Sequence, residues 1–169
     1  MRGLACGCKF ETVIRPGTPA DAEAVAGVHV RTWQAAFAHV FPAARLAELS
    51  VERRAEQWRE WPPLVAVVDG VVVGFVSVGV SRDDDAVGEL FAIYVDPEYW
   101  DTGVGRELIA AGEKRLRELG HANAILWVLE DNPRARRFYE RASWHHDGAT
   151  RSIEIFGLQV LEVRYREEL

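Results

Sequence analysis

Val95-Asp96-Pro97-Glu98-Tyr99-Trp100-Asp101-Thr102-Gly103-Val104-Gly105-Arg106 is the stretch on which the reading of this chain turns. An apolar run stops at a proline, which has no N–H to donate to a ladder, and the chain passes through two glycines into an amphipathic segment. Glycines at a helix entrance leave backbone N–H groups unobstructed, and the positive end of the helix dipole attracts phosphate there. The spacing fits neither a dinucleotide fingerprint, since Leu108 stands where a third glycine belongs, nor a P-loop, since no Gly-Lys-Ser/Thr follows. Further on, Asn132-Pro133-Arg134-Ala135-Arg136-Arg137-Phe138-Tyr139-Glu140 opens a second helix whose tyrosine is placed to donate a proton near anything the phosphate site anchors.

Working outward, Phe10 to Arg15 alternates and predicts a strand. Thr18-Pro19-Ala20-Asp21 starts a helix to about Phe37, and Ser50-Val51-Glu52-Arg53 starts another that ends before Pro62-Pro63. Asp69-Gly70 joins the apolar runs Leu64–Val68 and Val71–Val80 as a hairpin. A polar loop, Ser81 to Gly88, leads to a strand from Glu89 to Val95. Gly103 to Leu119 is helical, with Val104, Leu108, Ala111, Leu116 and Leu119 on one face and Gly120 as its stop. A strand over Ala122–Leu129, a helix over Pro133–Ala142 and a strand over Leu158–Tyr165 complete the series. The order β-α-α-β-β-β-α-β-α-β predicts an α/β fold of the α+β type, a central mixed β-sheet with helices on both faces.

The 169 residues suit one domain, expected over 10–169 behind a frayed extension of residues 1–9. That extension holds the chain's two cysteines, Cys6 and Cys8, read as free thiols in a reducing cytoplasm; no metal site is expected. A formal net charge of −6 disfavours nucleic acid as a partner. No apolar run approaches the roughly eighteen residues of a membrane span, so no membrane partner is expected.

At this point Glu89 to Arg106 resembles the acetyl-CoA-binding motif of the GCN5-related N-acetyltransferases, and Asn132 to Arg141 resembles their second motif, Asn-x-x-Ala-x-x-Phe-Tyr-Glu. The order of elements is similar to that fold over roughly residues 10 to 166. The resemblance implies a gap between the strand ending at Val95 and the strand beginning near Ala122, with the pantetheine arm of acetyl-CoA lying in it. Backbone groups of Ile93 and Val95 would pair with the arm's amides as a further strand would. The backbone of Trp100, Asp101, Thr102, Gly103, Val104, Gly105 and Arg106 would hold the pyrophosphate, and Asn132 would line the same cleft. Tyr139 would protonate the departing thiolate, against the alternative of a ring packed with Phe138. Glu89 stands where some members carry a general base, and a strand-end carboxylate is the other reading. Alternation would put Glu89 on one face with Phe91 and Ile93. Among the arginines of the second helix, Arg136 is nominated for the 3′-phosphate, against a merely solvated face.

Trp100 departs from the Gln/Arg of the family motif, and Asp101 from a glycine; a carboxylate beside pyrophosphate weakens binding unless it turns to water. On the acceptor side Trp33 and Phe37, one helical turn apart, either face a pocket or pack in the core. The expected activity is direct transfer of acetyl from acetyl-CoA to a primary amine in a ternary complex. A non-catalytic acyl-CoA sensor, or transfer of another acyl group such as succinyl, are the alternatives. A homodimer through the apolar C-terminal strand is compatible with the pattern.

Overall fold

The computed structural model describes residues 11–169, so the expected extension, Cys6, Cys8 and the expected strand start at Phe10 lie outside the described residues. The chain runs β1 (Thr12–Pro16), α1 (Ala22–Ala36), α2 (Ala43–Ala47), α3 (Val51–Glu60), β2 (Leu64–Val68), β3 (Val71–Val80), β4 (Gly88–Val95), α4 (Val104–Glu118), β5 (Asn123–Leu129), α5 (Pro133–Arg141), β6 (His145–Ile155) and β7 (Leu158–Glu168). Among the described residues seven strands form one mixed sheet in the order β1-β2-β3-β4-β5-β7-β6, in which only the β4–β5 pair is parallel.

Helices cover both faces. Val25, Ala26 and Val28 of α1 pack with Trp58 of α3 against Val65 and Phe75 of the sheet. On the opposite face Val104, Leu108, Ile109 and Leu116 of α4 press on Val76, Leu90 and Leu126. Leu119 lies off that face and is 44% exposed. Gly112 admits the close approach, since a Cβ there would stand 3.1 Å from Val76 and 3.2 Å from Val78.

Local chemistry sets most boundaries. Asp69 and Gly70 both take positive φ, as a tight hairpin between right-twisted strands requires. Ser50 caps α3 by accepting the Arg53 N–H at 3.2 Å. Thr18-Pro19 begins a 3-10 turn over Pro19–Asp21 rather than α1 itself. There the Asp21 carboxylate accepts from the Thr18 N–H (2.8 Å) and takes both prongs of Arg15 (2.8 Å each).

Helix α2 is additional to the sequence reading, and two features of the sheet also depart from it. The strand β6 is additional: it is a polar edge strand with alternating exposure, broken by an irregularity between His146 and Thr150 and by Gly148 at φ +89°. Its presence leaves β7 paired on both sides, so that strand offers no free edge for a second subunit to pair with, and the sheet of the described residues ends at β1 and β6. Phe91 is a bulge in β4, because Ser77 pairs with Ala92 and Val78 with Leu90. The bulge reverses the alternation that would have grouped Glu89 with Ile93. Leu90, Ile93 and Val95 share the α4 face, while Ala92 and Tyr94 meet α1 and α3.

Hydrogen bonds from Arg15 and Thr18 hold the Asp21 carboxyl well below the usual carboxylate range. A depressed folded pKa contributes stability that is present above the unfolded value near 4 and is lost as pH falls. Asp21→Asn is expected to cost about 1 kcal/mol at neutral pH and to flatten the acid side of the stability profile. Urea unfolding between roughly pH 3 and 7 measures both.

Candidate active site

The strands β4 and β5 touch at only two ladder positions, Gly88 with Ala124 and Glu89 with Ile125, and then part. The Phe91 bulge lies immediately beyond the last pair. A cavity of about 820 Å³ occupies the region, walled by β4, β5, α1, the α4 entrance and α5. Asp96 donates its N–H to Val73 on β3 at 2.8 Å, so by strand alternation the Ile93 and Val95 peptides point the other way, into the gap. Backbone groups left without a ladder partner in such a gap need another partner, and an amide-bearing ligand supplies one.

One of these groups is already engaged. The Val95 carbonyl accepts from the Trp100 indole N–H at 2.8 Å and from the Thr32 hydroxyl at 3.0 Å. The tryptophan at the Gln/Arg position thus folds back onto the strand.

At the α4 entrance the first intrahelical bonds run from the Arg106 and Glu107 N–H groups to the Gly103 carbonyl (3.0 and 3.2 Å). The amides of Val104 and Gly105 precede them and are donors at the positive end of a 15-residue helix. Gly103 takes φ +101°, and Asp101, where the motif has glycine, takes the left-handed φ +63° that aspartate tolerates better than most residues. Its side chain is turned to water and paired with Arg134 at 3.5 Å. Arg134 lies over the Trp100 ring at 4.0 Å, so the guanidinium joins the two departures from the motif.

Tyr139 is 7% exposed and faces the same cavity from α5. Burial, with a smaller contribution from Tyr94, pushes its phenol above the ordinary value, so it is neutral at physiological pH. Tyr94 is likewise raised by burial and feels Glu162. The buried Trp33 indole N–H, turned toward Tyr94, closes no hydrogen bond among the described residues. Asn132 caps α5 by accepting the Ala135 N–H at 3.1 Å and presents itself to the cavity.

The cavity brings together Ile93, Val95, Trp100, Asp101, Thr102, Gly103, Gly105, Arg106, Asn132 and Tyr139, with Trp33 and Phe37 at its far wall. Phe37 also belongs to a small aromatic cluster with Phe41, so the pocket and core readings of this pair both hold in part. The Val104 side chain is core.

Two nominated residues stand elsewhere. Arg136 turns behind α5, donating to the Tyr165 hydroxyl and the Glu130 carbonyl at 3.2 Å each, while Arg134, Arg137 and Arg141 line the cavity. Glu89 is 1% exposed and outside the lining. Its carboxylate is taken up by the Arg82 guanidinium (2.6 Å), the Arg82 N–H and the Ser81 hydroxyl (3.1 Å each), which tie down the β3–β4 loop. Glu162 of β7, which no sequence motif singles out, does line the cavity. Only its place opposite Leu129 in the ladder brings it there, and a strand position read alone carries no such signal.

His29 is buried among Trp33, Trp58 and Tyr94 and accepts from the Trp58 N–H at 3.3 Å. Burial, reinforced by Arg54, pushes it down to about 3, so it is a neutral packing group. No cluster of three metal-ligating side chains occurs among the described residues, and no helix among them is long and apolar enough to cross a membrane.

Comparison with known proteins agrees with this geometry. The N-acetyltransferase YuaI of Bacillus subtilis is 31% identical over 156 residues, covering 89% of each chain. A mycothiol acetyltransferase of Propionibacterium freudenreichii is 37% identical over 109 residues, which are 63% of this chain and 35% of that longer protein. The PaiA N-acetyltransferase of Thermoplasma acidophilum, solved with coenzyme A, superposes with a TM-score of 0.69 at 18% identity, covering 95% of this chain and 100% of that one. The profile of the Acetyltransferase (GNAT) family matches residues 29–144. This chain belongs to the GNAT acetyltransferase family.

Proposed function

We propose that residues 10–169 act as one cytoplasmic domain that transfers an acetyl group from acetyl-CoA to a primary amine within a ternary complex. The observation that carries this reading is the continuous cavity running from the free amides of α4, past the Ile93 and Val95 peptides, to the Tyr139 hydroxyl. The residues present fit the donor: two early helix amides and the arginines 106, 134, 137 and 141 suit phosphates, and the unladdered β4 edge suits an amide-bearing arm. The relative solved with coenzyme A supports the same choice of donor.

In this reading the amine nitrogen attacks the thioester carbonyl, the C–S bond breaks, and the Tyr139 phenol gives its proton to the departing sulfur. The phenoxide then recovers a proton from the nitrogen, which leaves neutral amide and free thiol. A phenol raised by burial suits this role, because it enters each cycle protonated. Glu89 has no part as a base here, since its oxygens are held by Arg82 and Ser81.

A binding-only role draws its support from Trp100, whose indole occupies the Val95 carbonyl. Calorimetry with acetyl-CoA, followed by thiol release against a panel of amines, amino acids, polyamines and peptides, separates the two. Turnover supports the enzyme, and tight binding without thiol release supports the sensor. Succinyl-CoA in the same assay tests the acyl group.

Tyr139→Phe is expected to lower kcat about 10²-fold while leaving the dissociation constant for acetyl-CoA unchanged. Unchanged single-turnover chemistry in this variant removes the acid assignment. Because the folded phenol titrates above its ordinary value, its loss of a proton does not depress the wild-type rate between roughly pH 8 and 10.

Asp101→Gly is expected to tighten acetyl-CoA binding about threefold to tenfold, measured by calorimetry. It removes a negative charge beside the phosphate site, releases Arg134 and relaxes a left-handed residue.

A further inference from the structure

The charged residues lining the cavity are segregated. Arg106, Arg134, Arg137 and Arg141 all stand around the α4 and α5 end, and Asp101 there is paired with Arg134. At the other end, between β5 and α1, the single charged lining residue is Glu162. Its side chain is 13% exposed, and Trp33, Phe37, Phe91, Tyr94 and Trp127 line the same cavity.

Glu162 is held by one ion pair that engages only one of its two oxygens. Its Oε2 accepts one bond from Arg151 Nε at 2.6 Å, and no described residue donates to Oε1. Arg151 is shared, since its Nη1 lies 4.0 Å from Asp83. Asp83 also accepts the Trp127 N–H at 3.1 Å, and Arg151 lies over the Trp127 ring at 4.2 Å, which fixes both side chains. Nearby Arg82 is committed to Glu89, and Arg164 to Asp147 at 2.8 Å. Asp147 is itself shared by Arg164 and Arg166 (2.8 and 3.7 Å), so the wider group balances in formal charge, and within it the three carboxylates Asp83, Glu89 and Glu162 share Arg82 and Arg151. Of the three, only Glu162 opens on the cavity.

A largely buried carboxylate in a cavity lined by aromatic side chains attracts a cation carried on an apolar body: the carboxylate takes the charge and the rings take the body and add cation–π attraction. We propose that Glu162 receives the acceptor as its ammonium ion, that this ion gives up one proton to water before the free amine attacks, and that the acceptor class is a primary amine borne on an aromatic or similarly apolar group. This rests on the acetyl-transfer reading for its designation of the bay as the acceptor site. Tyr94, which lines the same cavity, interacts electrostatically with both Glu162 and Tyr139.

The test uses the full chain, with and without saturating coenzyme A, and two probes of one shape: 2-phenylethylamine and the uncharged 2-phenylethanol. Binding is read from tryptophan fluorescence, since Trp33 and Trp127 line the bay. The wild type is expected to prefer the amine at least tenfold. Glu162→Gln, which keeps an oxygen for Arg151, is expected to bring that ratio near one with alcohol binding unchanged. Asp83→Asn removes an equal charge outside the lining and is expected to preserve the preference. The proposal is overturned if the wild type shows no preference, if Glu162→Gln retains it, or if Glu162→Gln weakens both probes alike. Absence of coenzyme A binding with the amine preference intact would remove the acetyl-transfer reading while the anchor stands.

Discussion

The early parting of β4 from β5 is the constraint on which the rest depends. Two ladder pairs hold the parallel strands, and beyond them the Phe91 bulge adds one residue to β4 and turns its edge out of register. Peptides that would otherwise complete a ladder are left facing a gap, and a fold can tolerate that only where something else satisfies them. Thr32 and Trp100 do so for one carbonyl. The other parts of the candidate site open on the same cavity: the α4 entrance, Tyr139 of α5, and Glu162 with the aromatic side chains of α1, β4 and β5.

Charge is distributed to match. Four arginines of the lining stand on α4 and α5, and its carboxylate Glu162 stands on β7, so the proposed donor and acceptor would meet opposite charge in one cavity. Tyr139 lies between them in a position where burial favours the neutral phenol. Asp101, unfavourable on paper beside a phosphate, is accommodated by an outward side chain and a stacked Arg134.

Features encoded by local chemistry were legible in the sequence. The Asp69-Gly70 hairpin, the Ser50 cap, the Gly103 entrance to α4 and the Asn132 cap of α5 each follow from a few adjacent residues. Features set by non-adjacent strands were not. Periodicity could not announce β6, because an edge strand with water on one side needs few apolar residues. Alternation misassigned Ile93 relative to Glu89, because a bulge is a property of the pairing with β3. Arg136 lies one turn after Asn132, but its side chain meets Tyr165 and Glu130 on the reverse side of the helix. Glu162 became visible only once β7 was seen inserted between β5 and β6.

A sheet slit along most of one seam behaves mechanically as two plates joined at a corner. Here the first plate is β1–β4 and the second β5–β7, stitched at Gly88 and Glu89 and backed by the α4 core. The softest deformation of such a body is a widening or narrowing of the slit about that corner. A molecule bonded to both rims stiffens it far more than its size suggests, because it adds fasteners at the end where leverage is greatest. Compliance, not only shape, is therefore built into this architecture, and the two residues at the corner set the pivot.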